Sequence, residues 1–109
     1  MSTSDGIQTS SKSASGSDLE TTVRVMVVDD QASFRRAARA VIDATPGFAP
    51  LRDAASGPEA LEYADELQPD LVLMDASMPG MDGFEAARRL TAAHPTSVVV
   101  LVSIEDQDG

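Results

Sequence analysis

Asp29, Asp30, Asp75 and Ser103 are the residues whose types and spacing could do chemistry together. Asp29 and Asp30 follow the apolar run Val25–Val28, Asp75 follows Leu71–Met74, and Ser103 follows Val98–Val102. If those runs are parallel strands of one sheet, three carboxylates and a hydroxyl converge on one edge. Crowded and unpaired, the carboxylates would repel one another and raise each other's pKa. A hard divalent cation removes that conflict, and Mg²⁺ is commonly held by one or two carboxylates while keeping several waters. The set therefore predicts a Mg²⁺ site. It contains no histidine or lysine, so a carboxylate is itself the expected nucleophile. His94, the single histidine, stands before Pro95 at the end of a helical stretch, where it can complement the helix dipole. Taken singly, an Asp-Asp pair can end a strand or cap a helix, Asp75 can be a solvated strand end, and Ser103 can open a turn. Glu105, Asp106 and Asp108 read as a solvated acidic loop. The joint placement at three strand ends is what points to a site.

The elements that must deliver these residues are legible as alternating periodicities. Val25–Val28, Leu71–Met74 and Val98–Val102 are apolar at every position, which predicts strands covered on both faces. A weaker strand is expected between Phe48 and Ala54. Phe34, Ala37, Ala38, Val41 and Ile42 follow the spacing of one buried helical stripe, ending before Pro46-Gly47. A second helix opens at Ser56-Gly57-Pro58-Glu59, a capping box with proline where its missing N–H is harmless, and presents Ala60, Leu61, Ala64 and Leu67 before Pro69. A third opens at Asp82-Gly83-Phe84-Glu85 and presents Phe84, Ala87 and Leu90 before Pro95. The order β-α-β-α-β-α-β, with strands starting near 23, 48, 71 and 97, predicts an α/β fold with a doubly wound parallel sheet. Such sheets bind ligands beyond the carboxyl ends of their strands, which is where the aspartates fall.

Composition narrows the function further. The 109 residues carry 8 basic and 18 acidic side chains, a formal net charge of −10. An acidic surface repels phosphate backbones and anionic lipid, so neither nucleic-acid nor membrane binding is expected. The absence of cysteine excludes a disulfide scaffold, a thiolate metal site and a thiol nucleophile. No apolar run approaches a membrane span and no secretory leader pattern is present, so a cytoplasmic location is expected. Of residues 1–22, 11 are Ser or Thr, a composition that cannot bury enough apolar surface to offset its ordering entropy. Residues 1–22 are therefore read as a disordered tail and 23–109 as the folded domain.

Val25-Met26-Val27-Val28-Asp29-Asp30, Asp75 and the loop Met78-Pro79-Gly80-Met81-Asp82-Gly83 together resemble the receiver domain of two-component response regulators, from Val23 to about Asp106. The resemblance implies a flavodoxin-like sheet of strand order 2-1-3-4-5. It implies that Asp75 accepts a phosphoryl group from a sensor histidine kinase or phosphotransfer protein. It implies further that Asp29 and Asp30 place Mg²⁺, with Asp30 and Asp75 as direct ligands and Ser77 offering its backbone carbonyl, and that Ser103 turns toward the phosphoryl group as the switch. No enzymatic activity is expected beyond Mg²⁺-dependent self-phosphorylation and dephosphorylation at Asp75. Against the family pattern the chain lacks the fifth βα unit, together with the lysine and aromatic residue that the family places on it. The single lysine here is Lys12, in the tail. An incomplete domain of that kind would bare the edge of the Val98–Val102 strand and invite self-association. Two functional readings follow: a phosphoacceptor domain, favoured by the intact acidic triad, or a degenerate receiver serving as a phosphorylation-independent interaction module. A haloacid-dehalogenase-like phosphatase is disfavoured, because the position two residues after Asp75 is Ser77 rather than a second acid.

Overall fold

The computed structural model describes residues 22–78, 80 and 82–102. The Ser/Thr-rich tail up to residue 21, Pro79, Met81 and Ser103 lie outside the described residues. The elements are β1 (Val23–Val28), α1 (Ala32–Ala44), β2 (Phe48–Pro50), α2 (Gly57–Leu67), β3 (Leu71–Asp75), α3 (Gly83–Ala93) and β4 (Val98–Val102). The four strands form one parallel sheet of order β2-β1-β3-β4, the start of the expected 2-1-3-4-5 arrangement. Three helices connect strands that are all parallel, because parallel neighbours cannot be joined by a tight hairpin.

Alternation along the strands sorts the core into two layers. Val25 and Val27 of β1 pack with Ile42 of α1, and with the half-buried Phe34, Ala38, Leu71 and Leu73. Met26, Val28, Val72 and Met74 point to the opposite face, where Ala60 and Ala64 of α2 and Ala86 and Leu90 of α3 cover them. β1 is the most protected strand: Val25 to Val28 are all 1% exposed or less, whereas Leu71, Leu73 and Asp75 of β3 are half-buried. β2 is short and lies at the sheet edge, where Pro50 is tolerated because its missing donor breaks no central ladder. Pairing between the first strand and the segment after β2 continues only as an isolated bridge from Val28 to Ala54.

Three expectations about burial need correction. In α1, Ile42 is buried but Val41 is 66% exposed and Ala37 is exposed, because α1, the one helix on this face among the described residues, meets the sheet along a narrower line than the stripe. In α3 the buried face is Gly83, Ala86 and Leu90, whereas Phe84 is 66% exposed and Ala87 half-buried. That set is spaced i, i+3, i+7 and the expected one i, i+3, i+6, and both lie along one side of a helix, so sequence periodicity does not choose between the two phases. In β4, Val98 and Val100 are 59% and 40% exposed. Only the Val99 and Leu101 side of this strand packs on the core, so it is covered on one face rather than two among the described residues.

The predicted helix starts are present. Ser56 accepts a hydrogen bond from the Glu59 N–H (3.2 Å), and the Glu59 carboxylate accepts one from the Ala55 N–H (2.8 Å). Asp82 accepts from the Glu85 N–H (2.8 Å), and among the described residues Glu85 makes no return bond to close a box. Its carboxylate is taken by Arg88 and Arg89 instead. These arginines hold Glu85 below the usual carboxylate range, Arg89 contributing most. No helix among the described residues is long and apolar enough to cross a membrane.

Candidate functional site

The register of the central pair builds the site. Val28 of β1 stands opposite Met74 of β3, so Asp29 and Asp75, the next residues, leave the sheet side by side. The described strands turn away here toward β2 on one side and β4 on the other, at the topological switch point where open parallel sheets bind ligands. Asp29, Asp30 and Asp75 each present a carboxylate oxygen within 4.8 Å of the others. Asp29 is buried at 5% exposure, Asp75 is half-buried and Asp30 is exposed, so the cluster opens to solvent on one side.

Asp29 and Asp75 are oriented locally. The Asp29 N–H donates to the Ala54 carbonyl (3.1 Å), and its side chain accepts from the Gln31 N–H (2.8 Å). Burial pushes the Asp29 carboxyl above its ordinary value; the Gln31 bond opposes this, and the charges of Asp75 and Asp30 add to the rise. The Asp75 Oδ1 accepts from the Ser77 N–H (3.0 Å), an Asx turn that leads the chain away from β3. Ser77 itself is exposed beside the cluster. Below it, Met78 is buried in the core and anchors the loop.

The donor set fits a hard divalent cation. Opposed oxygens in a Mg²⁺ octahedron lie about 4.2 Å apart, so a spread of 4.8 Å closes on an ion with small side-chain movements. Asp29, Asp30 and Asp75 are all brought together, and Ser77 follows Asp75 by two residues, its N–H bonded to the Asp75 carboxylate. Ser103, expected to complete the set, lies outside the described residues. The position just before it is in place: Val102 stands opposite Asp75, and its carbonyl accepts from the Ala76 N–H (3.0 Å). His94 takes no part. Its N–H caps α3 on Leu90, and its Nε2 meets Asp65 of α2 at 2.9 Å.

The sequence singles out Gly83 only within its loop and helix start, and it does not single out Arg35. Gly83, at the start of α3, sits so close to the end of β3 that a Cβ there would lie 2.4 Å from the Asp75 carbonyl oxygen. Arg35 of α1 donates from its guanidinium to the Asp29 carbonyl (2.8 Å) and to Asp53 (3.0 Å). A Gly after a helix cap hints at close packing, but no local signal marks Arg35, whose partner is 18 residues away in sequence. A groove of about 790 Å³ between α3 and β4, lined in part by Phe84, Ala87, Thr91, Val99 and Leu101, contains none of the three carboxylates.

Comparison with known proteins gives a consistent answer. The response regulator receiver domain family matches residues 25–109. The chain is 42% identical over 86 residues to the response regulator GacA of Pseudomonas viridiflava, covering 79% of this chain and 40% of that protein. It is 40% identical over 82 residues to a protein-glutamate methylesterase/protein-glutamine glutaminase of Alkalilimnicola ehrlichii, covering 75% of this chain and 21% of that one. The chain thus spans well under half the length of these relatives. Among solved structures, the complex of the P1 domain of CheA3 with CheY6 from R. sphaeroides contains a similar fold, with a TM-score of 0.68 and 31% identity over 82% of this chain and 70% of that chain.

Proposed function

We infer, from the premise that this chain belongs to the response regulator receiver domain family of two-component systems, that Asp75 is its phosphoacceptor. The observation that supports this is the meeting of Asp29, Asp30 and Asp75 within 4.8 Å at the carboxyl ends of β1 and β3. Phosphoryl transfer asks little covalent help from a protein and much positioning. Asp75 is held at the strand end by the sheet and by the Ser77 turn, which leaves its second oxygen to attack phosphorus. The new bond joins that oxygen to phosphorus, the bond from phosphorus to the donor's imidazole nitrogen breaks, and the imidazole leaves. Asp30 and Asp75, with Asp29 beside them and the Ser77 carbonyl, would hold Mg²⁺. When bound, the ion neutralises charge on the phosphoryl oxygens. In the acyl phosphate, Ser103 would donate a hydrogen bond to a phosphoryl oxygen and shift the segment after β4.

The donor is a sensor histidine kinase or a phosphotransfer protein of the cytoplasm. The CheA3 P1–CheY6 complex supports that choice, because its receiver shares the fold and nearly a third of the aligned residues. The methylesterase activity named for one relative belongs to a protein of which this chain matches about a fifth. Self-association of the chain would use the exposed Val98 and Val100 face of β4.

Intact mass after incubation with Mg²⁺ and a small acyl-phosphate donor tests the assignment. A one-phosphoryl gain that requires Mg²⁺ and disappears in Asp75→Asn is expected. A folded chain that gains no mass, or an Asp75→Asn variant that still does, overturns it.

A further inference from the structure

Asp29 is tied down in three ways, and they differ in kind. Its N–H continues the sheet onto Ala54, and its side chain makes a local turn onto Gln31. The third tie is a side chain from the next helix: the Arg35 guanidinium donates to the Asp29 carbonyl at 2.8 Å. That carbonyl belongs to the peptide unit joining Asp29 to Asp30. A peptide unit is planar and rigid, so the direction of its C=O sets where the Asp30 Cα stands and the angle from which both carboxylates leave the backbone. Arg35 is itself anchored. Its Nε donates to Asp53, just after β2, at 3.0 Å, and both side chains are largely shielded, at 20% and 27% exposure. One planar fork therefore ties the end of β1, the first turn of α1 and the segment after β2 into one unit, which an ammonium cannot do in the same geometry.

We propose that Arg35 is a positioning residue for the cation site, acting through the Asp29–Asp30 peptide rather than by touching the ion. The proposal rests on the reading of Asp29, Asp30 and Asp75 as a divalent-cation site. Its sign separates it from plain electrostatics. A guanidinium near a dication repels it, so if Arg35 acted only as a charge, its removal would tighten Mg²⁺ binding. Acting as a clamp, its removal loosens the site. Outer partners that orient metal ligands typically contribute about 10–100-fold in affinity.

Arg39 supplies the matched control. It also joins α1 to the segment after β2, donating to the Leu51 carbonyl and lying 3.9 Å from Asp53, but its structural partners do not include Asp29. Calorimetric titration of the chain with MgCl₂, alongside metal-free urea unfolding, compares wild type, Arg35→Met, Arg35→Lys, Asp53→Asn and Arg39→Met. We expect Arg35→Met to bind Mg²⁺ about tenfold more weakly, and Arg35→Lys to recover only part of that loss despite keeping the charge. Asp53→Asn, which keeps Arg35 and slackens its anchor, shows a smaller weakening and serves if Arg35→Met does not fold. Arg39→Met loses stability with unchanged Mg²⁺ affinity. Equal or tighter binding by folded Arg35→Met, unchanged binding by Asp53→Asn where Arg35→Met does not fold, or equal weakening by Arg39→Met, overturns the proposal while the cation site stands. A folded wild type that takes up no Mg²⁺ overturns the site reading itself, and the proposal with it.

Discussion

Replacing Gly83 by alanine would put a methyl group into the backbone that carries Asp75. The added Cβ would lie 2.4 Å from the Asp75 carbonyl oxygen and 2.6 Å from the Ala76 Cα. Both obstacles are backbone, so no side-chain rotation relieves them. Ordinary contact begins near 3.4 Å, and the start of α3 must therefore retreat by about 1 Å. Such overpacking costs about 1–3 kcal/mol. The retreat also breaks the Gly83 N–H bond to the Ala76 carbonyl, now 3.1 Å, for about 1 kcal/mol more. Alanine's better helix propensity offsets about 1 kcal/mol at most. The net expectation is a loss of about 2 kcal/mol, which lowers a urea midpoint by about 1 M at ordinary slopes. Because the strain falls on the Asp75–Ala76 segment, Mg²⁺ uptake should weaken as well. Gly47 is the comparison. It has φ +87° and nothing within 4 Å of where a methyl would stand, so Gly47→Ala carries only the left-handed backbone cost of about 1–2 kcal/mol and leaves Mg²⁺ uptake unchanged. A Gly83→Ala midpoint at or above wild type would refute the reasoning, since alanine would then be acting only as a better helix former in open space.

The buried Asp29 carboxyl is raised by desolvation, so the folded state binds its proton more tightly than the unfolded chain. Its contribution to stability is fully present below the ordinary value of 3.8 and is lost as pH rises through the raised folded value. In metal-free buffer Asp29→Asn should therefore be more stable than wild type near neutral pH, with the difference closing toward about pH 3; a difference that persists there refutes the assignment. Mg²⁺ should reverse the order, because about 100 Kd of ligand stabilises a binding-competent chain by about 2.7 kcal/mol. Ser56→Ala removes the acceptor for the Glu59 N–H at the start of α2 and should cost about 1 kcal/mol in urea unfolding. An unchanged midpoint would show that Glu59 and solvent satisfy that helix end without the hydroxyl.

Much of the fold is local enough to read in the chain. Short apolar runs alternating with helical stripes specify parallel βα units, and Ser56 and Asp82 mark helix starts because a side-chain acceptor three residues before a free N–H needs nothing distant to work. The site is legible for a related reason. Parallel strands in register end at the same edge, so Asp29 and Asp75 must meet once Val25–Val28 and Leu71–Met74 pair. Where apolar residues outnumber buried positions, the reading loses its phase. Phe84, Ala87 and Leu90 are as good a stripe as Gly83, Ala86 and Leu90, and the structure chose the second. The small Gly83 lets the helix settle against Ala76, and Phe84 is turned outward.

By itself, then, the sequence determined the element order, the starts of α2 and α3 and the identity of the three clustered carboxylates, because each follows from neighbours in the chain or from a repeating strand register. Tertiary structure alone decided which face of α1 and α3 is buried, that β4 is covered on one side among the described residues, that α3 presses on the Asp75 backbone, and that Arg35 bridges Asp53 to the Asp29 carbonyl. These depend on distances between segments whose approach no local pattern encodes. An arginine on a helix looks the same in sequence whether it faces water or clamps a peptide unit.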